Sequence, residues 1–428
     1  MLFKRFQNAA REYWTSLGKI SHNARMYLLA AVFMAIALGI QLVLFNLYLL
    51  EIGYDEDVIG QIAALIALGV AIGGLPAGIL YDRYGGKISF IAATIGMMAT
   101  MGLMAITPDP LALRALAFIH GLANSIFFVS IFPFITDQST QEERSYLYGL
   151  NLAIWSGFRV VGTFVAGYLP VLWSSTLSLQ GNIEQLQLSL LLAALLGLIA
   201  LIPLTRIRRA GSRGGQWDWR SLVPSADSRS AILRSAVILT MSGIVIGLTQ
   251  PFYNVYFKRV FEADTALIGN LFALSEMTAL ISALLVPYLV ARWGLVLGPT
   301  LAISLAAPLT LMMGLPLALP IITILFLTKV GLEWLGNTPL MNLIMEVVAP
   351  EDRGTVSGVR LVTNYGAQSV AGIVGGLIVV QAGYTWLFVI AGLIQLVFGG
   401  SIWLLFHSKE SSIETTRDQD QQRPAIPS

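Results

Sequence analysis

Runs of about 20 apolar residues, separated by short polar turns, recur along the whole 428-residue chain. A helix rising ~1.5 Å per residue needs about that many residues to cross roughly 30 Å of hydrocarbon. No water reaches backbone N–H and C=O groups there, so each run is predicted to be helical. The pattern predicts twelve spans, six near 26–50, 58–81, 88–107, 111–136, 146–170 and 187–205. Six more follow near 231–257, 265–290, 295–315, 319–347, 355–381 and 384–407. The expected architecture is an all-α membrane protein of two six-helix halves, 26–205 and 231–407. A lead-in (1–25), a linker (206–230) and a polar, disordered tail (408–428) complete the chain.

Composition sharpens this picture. The chain is 56% hydrophobic and 12% charged, with no cysteine and three histidines. Disulfide and thiolate chemistry are excluded, and no His spacing matches a metal site. The lead-in is not a cleavable signal. Phe3, Phe6, Ala10, Tyr13, Trp14 and Leu17 recur at helical spacing, with Lys4, Arg5, Arg11 and Lys19 between them. Two readings stay open, an amphipathic helix on the membrane surface or a disordered basic segment. The linker carries Arg206, Arg208, Arg209, Arg213, Arg220 and Arg229, with Trp217 and Trp219 as expected interfacial anchors. Arg114, Lys258 and Arg259 fall on the opposite side, and Arg159, Lys329 and Arg360 within spans. The remaining Lys and Arg fall on one side, so both termini are expected to be cytoplasmic.

The two halves read as one repeat. A shift of 209 residues carries Arg83 and Gly85 onto Arg292 and Gly294, Arg144 onto Arg353, Gly149 onto Gly358 and Gly167 onto Gly376. With one residue of slippage, Phe45-Asn46-Leu47-Tyr48 meets Tyr253-Asn254-Val255-Tyr256. Parallel repeats of this kind place a solute site near the bilayer midplane, between the halves.

The turn after the second span runs Gly78-Ile79-Leu80-Tyr81-Asp82-Arg83-Tyr84-Gly85-Gly86-Lys87. It resembles the G-x-L-x-D-R-x-G-R-K loop between helices 2 and 3 of the major facilitator superfamily, with Gly86 in place of one basic residue. The resemblance covers essentially the whole chain. It implies that Asp82 bonds the N-terminus of the eleventh span, near Gly354, when the cytoplasmic side is closed, a position that favours a carboxylate. Asp137 is a candidate to hold Arg83 in the same latch. The gating set is then Gly78, Asp82, Arg83, Gly85, Lys87 and Asp137. In the second copy, 287–294, Ala291 replaces the acid, so the latch is expected on one side only. The alternative is a set of loop charges that only fixes topology.

Ionisable groups inside spans are costly and are functional candidates by default. Lys329 and Glu333 lie four residues apart on one face of the tenth span, ~14 and ~20 Å from its start at Pro320. The repeat maps them onto His120 and Asn124, and the resemblance implies that the two pairs face each other across a central cavity. Asn46 and Tyr48, with Asn254 and Tyr256, form a second symmetric set, and Trp334 and Asn337 extend the face of the tenth span. Amides beside aromatic rings suit a solute with a polar edge and an apolar body, although polar packing between helices explains them equally well. A self-neutralising structural pair is the competing reading of Lys329 and Glu333. Arg159 and Glu276 are expected to pair across the interface of the halves.

Two signatures of the superfamily are missing. Ala117 stands where proton-coupled members often carry an Arg ahead of the fourth-span glycine, and the fifth span has Gly157, Gly162 and Gly167 in place of a Gly-Pro pair. These spaced glycines are expected to allow close helix contact.

The resemblance implies a secondary transporter of a small organic solute, working by alternating access and needing no cofactor. Glu276, Glu333 and His120 are titratable, which leaves proton coupling open beside transport down the solute's own gradient. The expected partners are the solute, H⁺ if coupled, and the lipid bilayer of the cell membrane. No nucleic acid is expected, no nucleotide-binding loop occurs, and the protein is expected to be a monomer. A non-transporting sensor or scaffold is the alternative class. A membrane enzyme lacks any catalytic cluster.

Overall fold

The computed structural model describes residues 20–208, 225 and 228–409. Residues 1–19, on which the amphipathic-helix reading falls, most of the arginine-rich linker with both of its tryptophans, and the tail from 410 lie outside the described residues. What is described is almost entirely helical: α1 His22–Glu51, α2 Glu56–Ile106, α3 Pro110–Asp137, α4 Gln141–Leu177, α5 Asn182–Ile199 and α6 Leu201–Thr205. There follow α7 Arg229–Thr249, α8 Tyr253–Phe261, α9 Thr265–Trp293, α10 Leu297–Met313, α11 Leu319–Glu346, α12 Arg353–Arg360 and α13 Gly366–Phe406.

Among the described residues nine helical stretches are long and apolar enough to cross a membrane, and α10 is a shorter apolar helix of 17 residues. The pattern predicted twelve separate spans. The difference lies at Gly85 and Gly383, which leave helical geometry (φ 77° and 82°) with no intervening loop, so that two predicted spans run together in each of two long stretches. Positive φ is open to glycine at little cost. Gly294, the repeat partner of Gly85, adopts the same conformation (φ 75°, ψ 179° against 77° and 168°).

Local chemistry sets the helix starts. Ser21 and Asp109 accept hydrogen bonds from the free N–H groups of Ala24 and Ala112, and Asp264 does the same for Leu267. Thr140 and Glu143 form a capping box at the start of α4.

Connections alternate between two ends of the bundle. At the Gly85 end, Lys87 donates to the Thr205 carbonyl, Asn23 contacts Gln138 and the Arg208 carbonyl, and Ser225 bonds Asp352. At the Gly53 end, the Tyr54 hydroxyl donates to the Pro108 carbonyl.

Small residues bring helix backbones into contact, since lipid supplies no hydrophobic drive between helices. Gly39 and Gly162 join α1 to α4, and Gly69 and Gly121 join α2 to α3. The contacts between α2 and α13, and between α4 and α9, are graded along their length. Near the Gly53 end a methyl group on Gly60 would strike the Gly372 carbonyl, one on Gly376 would strike Glu56, and one on Gly269 would lie 2.6 Å from the Gly167 Cα. Toward the Gly85 end Gly78, Gly157, Gly354 and Gly358 have open space for 4 Å around the same position. The helices converge at the Gly53 end and diverge at the Gly85 end, and a cavity of about 310 Å³ lies between Gly78 and Gly354–Gly358. Of the three α4 glycines expected to allow close contact, Gly162 and Gly167 do so and Gly157 does not.

Candidate functional site

The charged residues inside the helices converge on one cavity of about 310 Å³. The Arg159 guanidinium on α4 pairs with Glu276 on α9 at 2.7 Å. On α11, Lys329 pairs with Glu333 at 2.9 Å, one helical turn on. Lys329 is fully buried, and its ammonium also donates to the Tyr253 hydroxyl. A 3₁₀ turn at Gln250–Phe252 interrupts the helix just before Tyr253. Glu333 accepts from Gln395 Nε2 at 2.9 Å, and Gln395 accepts from Thr310 at 2.6 Å. Arg159, Glu276, Lys329 and Glu333 thus each have an ionised partner, as burial in an apolar bundle requires.

Trp334 and Asn337 line the cavity with Glu333, so the expected face of the tenth span is presented to it. His120 and Asn124 are not among its lining residues. His120 lies buried between the Thr100 hydroxyl (2.9 Å) and the Gln41 amide (3.3 Å), and Asn124 is half-buried elsewhere on α3. The expectation that this pair faces Lys329 and Glu333 is therefore corrected: α3 is rotated so that its imidazole points into the packing with α1 and α2. The cavity is lined mainly by residues 239–364, joined by Arg159 and Leu42.

The second symmetric set closes the structure. Asn46 donates to the Pro251 carbonyl at 2.7 Å, and Asn254 donates back to the Val43 carbonyl at 2.9 Å. These reciprocal bonds bind α1 to the α7–α8 stretch. Pro251 sits in the 3₁₀ turn, where the helical ladder is interrupted and carbonyls are free to accept. The Tyr256 hydroxyl donates to the Met313 carbonyl, and its ring packs edge-on against Phe388. The buried Tyr48 hydroxyl meets Gln187 at 3.4 Å. Beyond this layer, at the Gly53 end, Arg259 reaches Asp55 and Glu56, Tyr384 donates to Glu56, and Lys258 faces Glu51.

At the opposite end Asp82 is half-buried and makes no hydrogen bond or ion pair among the described residues. Asp137 accepts from the Tyr81 hydroxyl at 2.8 Å, while the Arg83 guanidinium lies over the Tyr84 ring. Ser225, at the end of the linker, donates to Asp352 through its hydroxyl at 2.6 Å. Hydrogen bonds from the hydroxyls of Ser225 and then Ser228 hold the Asp352 carboxyl below the usual carboxylate range.

Tyr253, Gln395 and Asn364 also belong to the site and were not singled out for it in the sequence, where Arg360 stood only as an in-span charge. Asn364 lies in a π-helical turn, Leu361–Tyr365, and donates to the Leu239 carbonyl at 3.1 Å. Such turns recur at functional positions. A Thr-Asn-Tyr triplet after an in-span arginine was the only signal available.

The Major Facilitator Superfamily profile matches residues 27–372. No curated protein matches the chain. Among solved structures, the nucleoside transporter NupG is similar with a TM-score of 0.73 at 13% identity, covering 90% of this chain and 99% of that one. A bacterial homologue of the human lysosomal transporter Spinster, inward-facing and occupied, gives 0.72 at 12% identity, covering 90% and 96%. A POT family transporter in complex with a thioalcohol-conjugated peptide gives 0.70 at 12%, covering 92% and 100%. At these identities the likeness shows the fold. With a multi-pass bundle of apolar helices and a family profile spanning most of its length, the chain belongs to the Major Facilitator Superfamily of membrane transporters.

Proposed function

We propose that the protein is a secondary transporter that carries a small organic solute by alternating access. Counting each side of Gly85 and Gly383 as a separate span gives twelve helices in two six-helix halves, a division supported by the matching turns at Gly85 and Gly294. The observation that carries the reading is the graded contact between α2 and α13 and between α4 and α9. These helix pairs touch at the Gly53 end and part at the Gly85 end, and α4 and α9 border the charged cavity through Arg159, Phe272 and Glu276.

The basic residues favour a cytoplasmic Gly85 end in the cell membrane, so the conformer is inward-open. The Spinster homologue of similar fold is likewise described as inward-facing. An unbonded Asp82, one helical turn from Gly78, which shares the cavity at that end with Gly354, fits a latch that forms only when this end closes. Rocking then requires breaking the Asn46 and Asn254 bonds and the ion pairs of Arg259.

The cavity groups divide the work. Arg159–Glu276 and Lys329–Glu333 keep ionised groups in a midplane site at low cost. Glu333 is the group through which protonation would couple to the solute, because it bridges buried Lys329 and the cavity. In proteoliposomes loaded with a solute found by thermal stabilisation, Glu333→Gln is expected to abolish flux driven by a pH gradient while exchange persists. Unchanged gradient-driven flux removes Glu333 from the coupling. Absence of any flux for every stabilising solute removes transport.

A further inference from the structure

We infer that the solute of this cavity is a small organic anion whose acidic group binds between Arg360 and Arg159 and whose apolar body lies on the aromatic wall. The inference rests on the transport reading above for the site, and adds its chemical class. Two carboxylates, Glu276 and Glu333, and three cations, Arg159, Lys329 and Arg360, line the cavity. Both carboxylates are taken up by ion pairs, with Arg159 and with Lys329. Arg360 is half-buried and makes no hydrogen bond or ion pair among the described residues. One uncompensated positive charge therefore remains in the cavity.

Arg159 points the same way. Its Nη2 meets Glu276, while its Nε is buried with no hydrogen-bond partner. A guanidinium presents five donors in a planar fork suited to carboxylate, sulfonate or phosphate oxygens. A buried N–H with no acceptor is costly, and an acceptor on the solute removes that cost. Asn337 and Gln250 line the same cavity, and their side chains make no hydrogen bond among the described residues. The apolar part of the wall includes Phe272, Phe326, Trp334, Val330, Ile246 and Leu42. At about 310 Å³ the cavity is at the small end of ligand pockets, which run from ~300 to ~1,000 Å³. An amine would meet the uncompensated cation, and a neutral solute would leave Arg360 bare.

The chain has no cysteine, so a single introduced thiol reports the local potential without a known ligand. Asn337→Cys and Met341→Cys place it in the cavity, and Gln180→Cys supplies an exposed reference. Each purified variant is reacted with the anionic 2-sulfonatoethyl and the cationic 2-trimethylammonioethyl methanethiosulfonates, and the ratio of the two rates is normalised to Gln180→Cys. The anion is expected to be favoured at both cavity positions. Arg360→Gln or Arg360→Met should lower the ratio about tenfold, as loss of one nearby charge at intermediate dielectric implies, and Arg360→Lys should retain it. Removing Arg360 strands no partner, so these variants are expected to fold. A normalised ratio favouring the cation, or one unmoved by both Arg360 substitutions, overturns the inference. The rates need no gradient and no flux, so failure of transport in proteoliposomes is a separate result.

Discussion

The Lys329–Glu333 pair is asymmetric in burial, and this yields a quantitative prediction. Lys329 exposes 1% of its side chain and Glu333 22%. Replacing Glu333 by leucine strands an ammonium that is almost fully buried and keeps only the Tyr253 hydroxyl. Removing one partner of a buried ion pair typically costs about 3–5 kcal/mol. Replacing Lys329 by methionine strands a carboxylate that still accepts from Gln395 and borders the cavity, so the cost should be nearer that of one charged hydrogen bond, about 1.5–3 kcal/mol. The double replacement removes both charges and fills the space with apolar atoms, so it should recover most of the loss. Reversible unfolding of the four proteins in the same detergent gives the cycle, with an expected coupling of at least ~2 kcal/mol. Glu333→Leu no worse than Lys329→Met, or strictly additive losses, would show that Lys329 is not held by its neighbour.

Three further outcomes are expected. Asn46→Ala and Asn254→Ala should each weaken the closed Gly53 end by about 0.6–1.5 kcal/mol. The loss should appear as faster labelling of a cysteine introduced at that end, and unchanged labelling would mean that these bonds do not hold the closure. Gly376→Val places side-chain atoms against the Glu56 backbone and should hold α13 away from α2, read as an increased distance between spin labels on the two helices. Asp352 is held below the usual carboxylate range, so the stability it contributes is complete above the free-chain value of ~3.9 and is lost as pH falls through the lower folded value. Protease cleavage within 206–230 should accordingly be flat from pH 8 to pH 5, whereas Asp352→Asn should raise it at pH 7 by freeing Ser225. Strong acceleration in the unsubstituted protein between pH 7 and pH 5 would contradict this.

Much of the bundle was legible because bilayer thickness imposes one length on every helix. Arg159 and Glu276 were legible as a pair because each stands alone in an apolar run and needs a counter-charge. Helix rotation was not legible. Lipid-facing and protein-facing sides are both apolar, so polarity does not say which way His120 or Asn46 points. His120 turned into the packing and Asn46 toward a neighbouring carbonyl, although both have repeat partners that suggested a shared role. Arg360 was recognised as an in-span charge, but its lack of a partner among the described residues depends on what surrounds α12. Tyr253 and Gln395 joined the Lys329 chain through tertiary contacts that no spacing records.

The closure at the Gly53 end is made largely against main-chain carbonyls: Asn46 on Pro251, Asn254 on Val43, Gly60 against Gly372 and Gly376 against Glu56. A carbonyl survives any substitution of its own residue, so each of the two asparagine contacts has only one genetically breakable side. In a suppressor screen, loss of Asn46 thus has no compensating side chain to recover at Pro251. Second-site revertants should map instead to the far end of the wedge, around Gly78 and Gly354–Gly358, where new bulk would disfavour the opposing conformer and restore the balance.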